Sequence, residues 1–200
     1  MAFNQRSKFL TFAANFDASM LTTILVAILI SLSFQVFPVA IGIDRSKGFF
    51  QSSWFGSLLI LGQILFFVIG YLLGDRFMHL MDGFKGIVIF IGFFLIGIRI
   101  IMEAFQVRKG ERTYIIDNTK TAVLASVAQG INTFLAAMLF TFLRVDSQWL
   151  LMILVIASLI VTLTGLVIKP GRQGFAISSF LYLISSVVMI VSAVYLGFVM

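Results

Sequence analysis

Cysteine is absent from the 200-residue chain, and there is one histidine, His79. No disulfide, thiolate metal site or thiol relay can form within it, and neither a histidine metal cluster nor a haem held by two axial histidines is available. Charge is scarce as well, with Asp, Glu, Lys and Arg making up 11% of the residues. No nucleophile–base arrangement, phosphate-cradling glycine loop or Cys/His metal spacing occurs along the chain. The sequence therefore offers nothing for an enzyme, and no cofactor is expected.

What fills the chain instead is apolar. Hydrophobic residues make up 60% of it, and the mean hydropathy is +1.11. A soluble domain of this size cannot hide that much apolar surface, because helix faces turned to water must be polar. Lipid removes the constraint, and each helical crossing needs about 20 consecutive apolar residues. Six such stretches follow one another, at about 20–43, 54–74, 84–105, 120–143, 148–168 and 174–199. In a bilayer each must be helical, since an open strand would leave its backbone polar groups bare. The expected fold is an all-α integral membrane protein with six transmembrane helices over residues 20–200. The spacings Gly70/Gly74 and Gly92/Gly97 suit close helix contacts.

Residues 1–19 read differently. Phe9, Phe12, Ala13 and Phe16 share one helical face, with Arg6, Lys8, Asn15 and Asp17 around the rest. That pattern predicts a short helix lying in the membrane interface, and its apolar part is too broken for a cleaved signal peptide. The net charge of +6 sits in the loops. It reports orientation and anionic lipid headgroups, and nucleic acid is not an expected partner. Eight basic residues (Arg45, Lys47, Arg108, Lys109, Arg112, Lys120, Lys169 and Arg172) follow the first, third and fifth helices, against five on the other side. The positive-inside rule then places both termini outside and the 106–119 loop in the cytoplasm.

An internal repeat emerges at an offset of 97 residues, where Phe34-Gln35-Val36-Phe37 lies over Ile131-Asn132-Thr133-Phe134. Both segments carry a carboxamide deep within an apolar helix. Three helices per repeat (20–105 and 120–199) force the halves into opposite topologies, a 3+3 inverted repeat of the kind found in transporters.

Polar residues within the spans are the candidates for function. Gln35, Gln63, Gln129 and Asn132 must face the bundle interior and find partners there. Pro38 lacks the N–H that would bond the Phe34 carbonyl, and Gly130 offers similar looseness in the fourth span. Two weakened helices, each with an amide, could build a small oxygen-lined site for a solute. The same amides could equally serve as glue between helices, contributing about 0.6–2 kcal/mol. Arg99 and Glu103, at i and i+4, are expected to form a structural ion pair.

From about residue 20 to 199 the chain resembles the bacterial manganese efflux pump family of the lysine exporter superfamily. The resemblance is carried by Ser33-Phe34-Gln35-Val36-Phe37, by Ile131-Asn132-Thr133, and by Gln63 followed by Gly70-Tyr71-Leu72-Leu73-Gly74. Gly97-Ile98-Arg99-Ile100-Ile101-Met102-Glu103 continues it in order. It implies a six-helix 3+3 inverted repeat in the bacterial inner membrane, exporting a cation. The aspartates that the family carries in its first and fourth helices are Gln35 and Asn132 here, so the resemblance implies a divergent member without those two carboxylates. Two functions are expected from this: transport of a cation or small solute through an amide-lined site, or a transport-inactive structural or regulatory subunit of a larger membrane complex. Membrane lipids, other membrane subunits or a second copy are the partners to expect.

Overall fold

The computed structural model describes residues 19–46, 48–78, 80, 82–109, 115–168 and 171–199. The interfacial helix expected at 1–19 falls outside these residues apart from Ser19, as do His79 and positions 110–114 of the 106–119 loop. Among the described residues there are six helical spans long and apolar enough to cross a membrane. The first, Ser19–Ile41, is divided into α1 (19–34) and α2 (Phe37–Ile41). Then come α3 (Phe49–Met78), α4 (Lys85–Lys109), α5 (Thr119–Thr141), α6 (Ser147–Val167) and α7 (Arg172–Val199).

Burial separates these spans into inner and outer ones. In the first span 72% of the most apolar window is buried, and in α5 56%, against 28–44% in the other four. Leu25, Ile28, Leu29 and Leu32 of α1 form the centre of the core. Around them stand Phe93, Ile96 and Ile100 of α4, Ala136 and Phe140 of α5, Leu150 and Leu154 of α6, and Met189 of α7. Outward positions such as Leu61, Leu65, Leu95 and Phe180 are exposed and apolar, as a lipid-facing surface requires.

Two seams hold the outer helices. Along α3 and α5 a glycine of one helix meets a residue of the other at every step, with Gly62 against Ser126, Phe66 against Gly130, Gly70 against Phe134 and Gly74 against Met138. A Cβ at Gly74 would lie 2.8 Å from the Met138 Cα, so the two backbones touch. This is the small-residue packing that helices use where lipid supplies no hydrophobic drive. The pairs advance together, so α3 and α5 are parallel. The α4–α7 seam runs antiparallel, with Gly97 against Ile190 and Phe90 against Gly197. Buried small residues at Ser178/Ser179, Ser185/Ser186 and Ser192/Ala193 recur every seven positions along α7.

At one end of the bundle the connections are tied together. Ile43 and Ile116 form an isolated parallel bridge, through Asp44 N–H to the Ile116 carbonyl (3.0 Å) and Ile116 N–H to the Gly42 carbonyl (2.9 Å). The Arg45 guanidinium donates to the carbonyls of Gly165 (3.2 Å), Val167 (3.3 Å) and Ile168. A cation on the last carbonyls of α6 satisfies orphan acceptors and suits the negative end of the helix. At the start of α5, Asn118 and Thr121 form a reciprocal capping box. At the other end the Tyr71 hydroxyl donates to the Val145 carbonyl (2.8 Å), fixing α3 to the α5–α6 turn.

Candidate functional site

The site begins where the first span breaks. Gln35 and Val36 leave the α-helical pattern, and their N–H groups donate to the Leu32 (3.3 Å) and Ser33 (3.0 Å) carbonyls three residues back. This tightening ends α1. Pro38 then lies in the first turn of α2, where a missing N–H costs nothing. All of α2 is buried, and it meets α6 closely at Gly165, where a Cβ would lie 2.6 Å from the Ala40 Cβ.

At this break the buried amides come together. The Asn132 Nδ2 donates to the Gln35 Oε1 at 2.7 Å, joining two residues 97 positions apart, and neither side chain is exposed at all. The Gln129 Nε2 donates to the Tyr182 hydroxyl (3.1 Å), which donates in turn to the backbone carbonyl of Gln35 (3.3 Å). The Thr133 hydroxyl donates to the Gln63 Oε1. The four candidate residues thus fall into two groups. Gln35, Asn132 and Gln129 share one network through Tyr182, while Gln63 is engaged by Thr133, the neighbour of Asn132. On the flanks Ser33 and Ser158 share a hydrogen bond (3.2 Å), and the Ser185 hydroxyl reaches the Ser31 carbonyl (2.9 Å).

The network is incomplete where Gln35 meets Asn132. The Gln35 Nε2 and the Asn132 Oδ1, a donor and an acceptor, are buried without a hydrogen-bond partner. Leaving such groups unmade costs about 1–3 kcal/mol each. The amides therefore present one free donor and one free acceptor beside their mutual bond. Their oxygens could also ligate a cation, but none of these side chains is a carboxylate. Among the described residues no group of three or more His, Cys, Asp or Glu could hold a metal ion. A hard divalent ion prefers charged oxygen ligands to offset its loss of hydration.

Two other sequence expectations have different outcomes. Gly130 does not interrupt its helix: α5 runs unbroken through it, and the space above its Cα is filled by the Phe66 ring of α3. A glycine read as a weak point is a packing socket. Arg99 and Glu103 lie 3.3 Å apart, Nε to Oε1, with Glu103 buried and Arg99 reaching towards the surface. Reasoning from sequence missed Tyr182, Thr133 and the helix-capping Arg45. For Tyr182 there was a signal: tyrosine favours the membrane interface, yet this one lies well inside a long apolar span.

Residues 45–196 match the family model described as "Putative manganese efflux pump". No curated protein and no solved structure matches the chain.

Proposed function

Because the chain belongs to the manganese efflux pump family, we propose that it is a membrane exporter whose solute passes the Gln35–Asn132 pair. The observation that carries this reading is the pair itself. Two fully buried amides meet at the break in the first span and keep one donor and one acceptor unpaired. The family points to an efflux transporter, and transport rather than catalysis suits a site made of neutral amides and hydroxyls. Manganese is the solute that the family name offers. The amide oxygens supply ligands without charge, so a less strongly hydrated cation or a small polar solute fits this site better. In this reading Gln35, Asn132, Gln129 and Gln63 bind the solute and the break before Pro38 lets the first span move. The two halves are then an inverted repeat in the inner membrane, with both termini outside.

A flux assay in vesicles tests the proposal. Gln35→Leu and Asn132→Leu should each abolish transport of whichever solute the wild-type protein moves. The converse variant, carrying Gln35→Asp and Asn132→Asp together, should confer manganese tolerance on a sensitive host. A folded aspartate variant that confers nothing would sink the idea of a surviving ion pathway.

A second reading rests on the 2.7 Å bond, which is also what a structural clasp between spans looks like. Under it the protein is a transport-inactive subunit of a larger assembly, or pairs with its own copy. Purification in mild detergent would then yield a stoichiometric complex, and both leucine variants would leave that complex intact.

A further inference from the structure

Away from the amides, a cavity of about 760 Å³ opens where the last turn of α4 meets the first turns of α7. It is lined by three cationic side chains, Arg108, Lys109 and Arg172, and by the apolar Phe175, Phe180 and Leu183. Among the described residues no acidic side chain lines it. Among the described residues neither Arg108 nor Arg172 has an ion-pair partner. The hydroxyl of Ser179 in its wall is already spent on the Ala104 carbonyl (3.0 Å).

Like charges gathered at one mouth repel each other unless an anion joins them. Arg172 is moreover the first residue of α7, at the positive end of that helix, where a further cation is unfavourable and an anion is favoured. The apolar half of the lining points to the nature of that anion. Phe180 is 62% exposed, and below it the outward side of α7 continues through the exposed Ile184 and Val187. A free phosphate would use the cations and leave this wall uncovered. An amphiphile uses both.

We infer that this cavity is a binding site for one anionic phospholipid. Its phosphate sits among Arg108, Lys109 and Arg172, and an acyl chain runs down past Phe175, Phe180 and Leu183. The site joins the end of the third span to the start of the sixth, so an occupied site braces the α4–α7 seam. It stands independently of the transport reading, since it shares no residue with the amide network.

Native mass spectrometry of the full chain in detergent tests this, with phosphatidylglycerol and phosphatidylcholine of identical acyl chains as probes. Each basic residue is worth roughly fivefold in affinity for an anionic lipid, so R108Q/R172Q should bind phosphatidylglycerol about thirty-fold more weakly than wild type. R76Q/R144Q removes the same charge at the opposite end and should bind as wild type does. R108K/R172K should keep most of the affinity, which separates lost charge from a lost fold. Equal binding of the two lipids would overturn the inference. So would an equal loss in the opposite-end variant, or displacement of the lipid by millimolar inorganic phosphate, which would mark a free-anion site. A second copy of the chain occupying the cavity, read as a dimer that R108Q/R172Q dissociates, would overturn it too.

Discussion

Replacing Gln35 and Asn132 by leucine, singly and together, should give strongly non-additive stabilities. Asn132→Leu removes the 2.7 Å bond and leaves both polar atoms of the Gln35 amide buried and unpaired. Gln35→Leu does the same to Asn132. Each single variant should therefore lose about 1–3 kcal/mol, the usual cost of stranding a buried polar group. In the double variant no amide remains to be stranded, and an apolar pair of similar shape is close to neutral. The expected coupling between the two sites is thus at least about 2 kcal/mol, the sum of the two smallest single losses. Equilibrium unfolding by SDS titration in mixed micelles, followed by the fluorescence of Trp54 and Trp149, measures it. Single variants within about 0.5 kcal/mol of wild type, with an additive double, would refute the reasoning. Flux measured on the same proteins adds a second readout: a double variant as stable as wild type but inactive would show that the pair exists for passage rather than for cohesion.

Three further outcomes follow from the packing. Gly70→Ala should cost roughly 1–3 kcal/mol in the same titration, because its Cβ would collide with the Phe134 carbonyl, whereas Gly83→Ala, with open space around it, should be silent. Arg45→Ala should lose about 2 kcal/mol with its bonds to the end of α6, and Arg45→Lys should recover less than half of that, since one ammonium cannot replace a guanidinium fork. Arg144 holds a left-handed backbone at φ 52°, so Arg144→Gly should stabilise by about 1 kcal/mol and Arg144→Ala should give no such gain.

The six spans were legible because the hydrocarbon core imposes both length and composition. Their ends were less so: α3 was expected at 54–74 and extends over Phe49–Met78. Outside the hydrocarbon a helix can continue through Gln51, Asp75 and Arg76 without penalty, so hydropathy marks the membrane and not the helix. Likewise α4 continues to Lys109, a turn into the loop expected at 106–119. The pairing of Gln35 with Asn132 was approachable because both are rare residues in their setting and fall at one repeat offset. Tyr182 and Thr133 entered the network through partners 53 and 70 positions away, which no local pattern encodes. Gly130 misled because a glycine in lipid is as often a socket for a neighbour's ring as a hinge.

The order in which the helices pack differs from the order in which they are made. α3 packs most heavily on α5, and α4 on α7, rather than on their neighbours in sequence. A nascent chain leaving the ribosome thus inserts α4 long before its chief partner exists. Until the 28 residues of α7 arrive, Phe93, Ile96 and Ile100 lack the cover that α7 gives their helix. The final span is the keystone of assembly, and a chain stopped before Arg172 would present the cell's quality control with an open bundle rather than a shorter transporter.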